Sequence, residues 1–140
     1  MIREKAFNIV IKIADKLIAG TTDVDFKMTP EYEESLVKDD EGEPSLDATG
    51  VVPMEFGVSG LMYICETEDE TTHQDITDLR EVCHDSDPVT FSYGGKKAGD
   101  AIITGNAHIT DLQEKSGSKG KPDWSITLKK TGSVTFGVAE

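Results

Sequence analysis

Strict alternation of apolar and polar residues constrains this chain more than any other feature. Trp124, Ile126 and Leu128 alternate with Ser125, Thr127 and Lys129. Val89, Phe91 and Tyr93 alternate with Thr90 and Ser92, and Val24, Phe26 and Met28 with Asp23, Asp25 and Lys27. Side chains two apart on a strand share a face, so each run describes a strand with one buried and one wet side. Further strands are expected at Tyr32–Val37, Val51–Ile64, Ala101–Leu112 and Val134–Val138, the last entered through a turn at Gly132. Gly57 and Gly60 suggest a bulge or a close backbone approach inside their strand, and Gly94-Gly95 reads as a hairpin turn.

Ala6–Ile18 fits a helix about as well as two short strands. Its β-branched content favours strands, with Ala14-Asp15 as the tight turn of a hairpin. Only one segment has a clear helical period. Ile76, Leu79, Val82 and Cys83 are spaced to share one face, and Asp75 or Thr72 can cap its start. The helix, near Asp75–His84, must stop before Asp87-Pro88, because a residue preceding proline avoids helical geometry. The sum is mainly β: an antiparallel β-sandwich or barrel of about eight strands with one short α-helix.

At 140 residues the chain fits a single domain spanning 1–140. Its 27 acidic residues outnumber 14 basic ones, for a net charge of −13. Such a surface repels phosphate backbones and anionic membranes, which argues against nucleic-acid readout. No stretch approaches the ~20 apolar residues of a membrane span. Lys12 and Asp15 interrupt the first apolar run too soon for a secretory signal, so the chain is expected in the cytoplasm where it is made. Cys65 and Cys83 form no CxxC pair and read as two thiols in a reducing compartment, with a disulfide as the alternative.

Chemistry-bearing motifs are missing. His73, His84 and His108 stand at no metal-ligand spacing. Asp39-Asp40-Glu41-Gly42-Glu43 lacks the alternation and later glutamate of an EF-hand loop. No Ser sits in a GxSxG elbow, and Tyr93-Gly94-Gly95-Lys96-Lys97 leads into no helix that would make it a phosphate cradle. No catalytic residue, cofactor site or metal site is expected.

The order of elements is itself informative. Ser59-Gly60-Leu61 closes a strand before an acidic loop; one short helix follows. Then come Asp87-Pro88-Val89-Thr90-Phe91, Gly105-Asn106-Ala107-His108-Ile109-Thr110-Asp111-Leu112, Trp124-Ser125-Ile126-Thr127-Leu128 and Thr131-Gly132-Ser133-Val134-Thr135. This succession, with the N-terminal run ending in Ile18-Ala19-Gly20, resembles the major tail tube proteins of long-tailed phages, whose fold is shared with type VI secretion tube proteins. The chain departs from the family where Pro53-Met54 stands near a position that often holds Trp. The resemblance implies a tail-tube-like β domain, six copies to a ring, and rings stacked into a conduit for DNA ejection. It implies a virion tail component assembled in the bacterial host cytoplasm, with tape-measure and other tail proteins as neighbours, DNA only as transiting cargo and no membrane.

Two loops stand out by charge. The acidic loop, about 38–50, carries Asp39, Asp40, Glu41 and Glu43; the basic loop, about 113–122, carries Lys115, Lys119 and Lys121. These are the candidate subunit-interface residues, the acidic loop of one subunit meeting the basic loop of the next. Two other readings fit the composition: a monomeric β-sandwich binding module and, less well, a small β-barrel enzyme.

Overall fold

The computed structural model describes residues 9–35, 45–62, 72–97, 99–116, 120 and 122–138. Among them the chain forms β1 (Ile9–Ile13), β2 (Lys16–Ile18), β3 (Thr21–Met28), β4 (Tyr32–Ser35), β5 (Ser45–Ala48), β6 (Met54–Leu61) and β7 (His73–Gln74). The helix α1 (Ile76–Asp85) follows, then β8 (Val89–Gly95), β9 (Ala101–Lys115) and β10 (Asp123–Val138). The N-terminal run is a hairpin. Ala14 and Asp15 both take left-handed backbone angles, φ 52° and 64°, which is the turn whose twist matches paired strands.

Eight strands hydrogen-bond in the order β3-β6-β10-β9-β8-β1-β2-β7, antiparallel except where β7 runs parallel to β2. The length of β9 and β10 converts this ribbon into two packed layers. β6 pairs only with Asp123–Lys129 of β10, and β8 only with Ile102–Ala107 of β9. Register shifts at Thr127/Leu128 and Thr131/Thr135 bend the long pair between these regions. Such bulges raise local twist and let one pair of strands serve two sheets. The first layer is β3-β6-β10-β9 and the second is β10-β9-β8-β1-β2-β7. A separate two-stranded ribbon, β4-β5, stands outside both.

The core lies between the layers. Ile11, Ile13, Phe56, Val58, Phe91, Ala107, Trp124, Ile126 and Leu128 are buried there with Ile76 and Leu79 of the helix. Phe56 from the first layer meets Phe91 and Tyr93 from the second, with ring centres 4.9 and 5.3 Å apart. The alternating triplet Trp124, Ile126 and Leu128 points inward and Lys129 outward, as the period requires. Gly60 is fixed by packing. A Cβ there would lie 2.2 Å from the carbonyl oxygen of Gly20, so no other residue lets β3 cross so close to β6.

The helix begins at Asp75 through a capping box. The Asp75 carboxylate accepts from the Asp78 amide at 3.2 Å, and the Asp78 carboxylate accepts from the Asp75 amide at 3.1 Å. Cys83 is a half-buried free thiol; Cys65 lies outside the described residues.

Four expectations need correction. The stretch 45–48 is strand β5, not loop. The expected loop from Gln113 begins later, because β9 runs on to Lys115. Gly132 does not turn the chain: with φ +76° it bends β10, which continues to Val138. Gly94-Gly95 end strand β8 rather than form the turn; beyond them the Asp100 amide donates to the Lys97 carbonyl at 3.1 Å.

Candidate assembly surfaces

The outward face of the first layer is built by register. Asp25 stands beside Gly57, Thr127 and Asp111 in one row; Asp23 beside Ser59, Ser125 and Gln113 in the next. Lys27, Glu55, Lys129 and His108 make a third row, and Leu61, Asp123 and Lys115 a fourth. Most of these side chains are polar or charged, with Asp23, Asp25, Glu55, Asp111 and Asp123 against Lys27, Lys115 and Lys129. This makes a largely polar, net-acidic wall without Phe, Tyr or Trp.

A second feature is the ribbon β4-β5. Every described side chain on it is exposed. Glu33 stands opposite Asp47, and like charges across a ladder oppose pairing. Main-chain bonds hold its base: Glu31 donates to Val51 at 2.9 Å, and its carbonyl accepts from Thr49 at 3.1 Å. A two-stranded ribbon with no buried face is marginal in water. The large hydrophobic residues exposed among the described residues are Met28, Tyr32, Leu46, Val51, Phe136 and Val138. Four belong to this arm or its root, and two to the far end of β10. Apolar exposure concentrated on projecting strands marks contact surface.

Of the candidate interface residues, Asp39, Asp40, Glu41, Glu43, Lys119 and Lys121 lie outside the described residues. Lys115 is exposed as the last residue of β9, where it stands opposite Asp123. Its neighbour Glu114 is engaged by the helix: Arg80 donates to both carboxylate oxygens, with Nε at 3.0 and 3.1 Å. The carboxylate raises the guanidinium pKa, through the hydrogen bond first and its charge second. Glu114, the acidic residue within 113–122, is therefore tied to α1.

Tyr93 lies at the mouth of the core. Burial raises its phenol above the ordinary value of 10.0, with the charge of Asp25 adding to the effect. The folded state holds this proton longer than the unfolded chain, so the contribution is full below about pH 10 and is lost as pH rises through the folded value. Thermal midpoints measured across that alkaline range should fall more steeply for the natural sequence than for Tyr93→Phe; parallel curves would show the phenol to be freely solvated.

Among the described residues no group of His, Cys, Asp and Glu is placed to hold a metal, and no helix is long and apolar enough to cross a membrane. No family model matches the chain, and no curated protein does. Solved structures do. A chain from the virion of a native gene transfer agent particle is 16% identical, with a TM-score of 0.76 over 96% of this chain and 99% of that one. The match to the tail of an empty gene transfer agent particle, of C6 symmetry, has the same values. The SPP1 tail tube is 10% identical with a TM-score of 0.71, over 96% of this chain and 79% of that one.

The fold is that of a tail tube subunit. At identities of 10–16% the likeness is one of fold. The sandwich-or-barrel expectation and the tail-tube-like fold both hold. Sequence reasoning placed β4 within Tyr32–Val37 but missed its partner β5 and the polar wall, whose residues become neighbours only through strand register.

Proposed function

We propose that this chain is a structural subunit of a phage-type tail tube, assembling into stacked rings of six that form a conduit for DNA, and that it carries no catalytic activity. One observation supports this above the rest: a tail-tube fold whose exposed apolar side chains sit on projecting strands while one sheet face is polar and net acidic. The polar face of β3, β6, β10 and β9 lines the channel. Its net negative charge repels the phosphates of a passing duplex, so cargo moves without being held. The arm β4-β5 gains its missing apolar contacts from neighbouring copies. The subunit's place is the virion tail, after assembly in the bacterial host, with tape-measure and other tail proteins as neighbours.

The charged loops belong to the same reading. Asp39, Asp40, Glu41 and Glu43 of one subunit face Lys115, Lys119 and Lys121 of the next, guiding docking and register. Each exposed pair contributes only ~0–1 kcal/mol, so apolar strand contacts hold the assembly. The binding-module alternative requires a protein that stays monomeric. Size exclusion followed by negative-stain microscopy of concentrated protein is expected to show rings or tubes; discrete monomers at every concentration and salt level would refute the reading. Reversing Lys115, Lys119 and Lys121 to Glu is expected to slow tube growth and flatten its salt dependence while leaving the monomer's melting temperature nearly unchanged.

A further inference from the structure

The far end of β10 breaks the pattern of the molecule. From Thr131 to Val138 it carries no charged residue, in a chain that is 29% charged. β6 ends its pairing opposite Lys129, so beyond that point no described strand lies on the side of β10 away from β9. Cross-strand register sets Phe136 beside Ile103, Tyr93 and Ile11. These last three lie on the core side of the second layer, so Phe136 faces the core side as well. It is nevertheless 62% exposed, and Val138 is 63% exposed. A free, uncharged strand edge with apolar side chains invites another strand.

The free edge of β3 offers a matching place. β3 ends the sheet, pairing only with β6. The Thr29 amide donates to Pro53 at 3.0 Å, so register turns the main-chain groups of Val24, Phe26 and Met28 away from β6. Beside the N-terminal half of that edge lies a groove of about 540 Å³, with Ile9, Ile11, Val24 and Tyr93 among its lining and Thr22 at its rim. A strand added along β3 would hang alternate side chains over this groove at the spacing of Val134, Phe136 and Val138. β3 is guarded by Asp23, Asp25 and Lys27, whereas the Thr131–Val138 stretch of β10 is uncharged. Because the two edges are unlike, their contact is head-to-tail, the kind that closes a ring rather than a two-fold dimer.

We propose that the Thr131–Val138 edge of one copy adds to the β3 edge of a second copy, with Phe136 and Val138 filling the groove. This rests on the tube-subunit reading and names the contact between neighbours.

Single-site blocks on each edge, used alone and mixed, provide the test. Phe136→Asp is expected to raise the protein concentration needed for assembly by at least about tenfold, the factor carried by burial of one phenylalanine, without lowering the monomer's melting temperature. Val24→Pro removes one donor from the free edge of β3 and is expected to act likewise; Thr22→Arg, at an exposed position, replaces it if the proline variant melts early. Mixed together, a β3-blocked and a β10-blocked variant retain one good edge each, so they should form a one-to-one dimer that grows no further in sedimentation. If the unsubstituted protein forms tubes and either variant assembles normally, or if the mixture stays monomeric, the pairing is wrong and the tube reading stands. If the unsubstituted protein never assembles, both fall.

Discussion

Trp124→Ala is expected to lower folding stability by about 3–5 kcal/mol, the range for emptying a buried aromatic site. Trp124 is 2% exposed and occupies β10 opposite Gly60 of β6. Its indole nitrogen donates to the Leu61 carbonyl at 2.9 Å, so truncation both opens a cavity and strips that oxygen of a partner, the latter worth about 1 kcal/mol. Collapse around the hole is hindered because Gly60 is already against the backbone of Gly20. Urea unfolding followed by far-ultraviolet circular dichroism measures the loss, with an unchanged denaturant slope as the sign of an intact fold. Trp124→Phe keeps most of the ring and loses the donor, so about 1–2 kcal/mol is expected. A loss below about 1.5 kcal/mol for the alanine variant would mean that the side chain does not fill the core. Trp124 is the only tryptophan, so its emission in the natural protein gives an independent check, and a water-exposed spectrum would contradict the burial.

The elements legible in the sequence are those whose side chains alone carry the signal. Trp124, Ile126 and Leu128 announce a half-buried strand, Asp75 a helix start, and Ala14-Asp15 a turn between β-branched runs. β5 was not legible because Ser45, Leu46, Asp47 and Ala48 are exposed on both faces. Nothing there alternates, and the main-chain ladder to β4 makes it a strand. The end of β9 was hidden by a bulge. Ile109 and Leu112 are three apart, yet pair with Leu128 and Ile126, which are two apart on β10. The extra residue breaks the period where the strand continues.

The assembly surfaces divide along the same line. Charge runs in loops are visible locally, and they gave Lys115 and its companions. The tie between Arg80 and Glu114 spans 34 positions, and no local pattern contains it. The polar wall is likewise a product of register: Asp25, Gly57, Thr127 and Asp111 come from four strands and become one row only when those strands pair.

Phe56→Ala is expected to reach the upper end of the same 3–5 kcal/mol range. Phe56 is fully buried at the centre of the contact between layers. Its ring lies 5.0 Å from Phe26, 4.9 Å from Phe91 and 5.3 Å from Tyr93, and such aromatic pairs each add ~0.5–1.5 kcal/mol beyond the area they bury. Removing the ring deprives three others of a partner, whereas Phe56→Leu retains most of the volume and should cost about 1–2 kcal/mol. Phe56 pairs with Leu128, four residues along β10 from Trp124, or about 13 Å at strand rise. Sites that far apart act independently within ~0.5 kcal/mol. Phe56→Leu with Trp124→Phe should therefore give the sum of the single losses, while the two alanine changes together should exceed what a small domain can lose and abolish the cooperative transition. Strong coupling between the conservative pair would mean that the layers respond as one packed unit. In the proposed strand pairing Tyr93 links this core to assembly, since the same ring that touches Phe56 lines the groove beside β3. Phe56→Leu is accordingly expected to weaken tube formation at temperatures where the monomer remains folded, an effect that core stability alone does not produce.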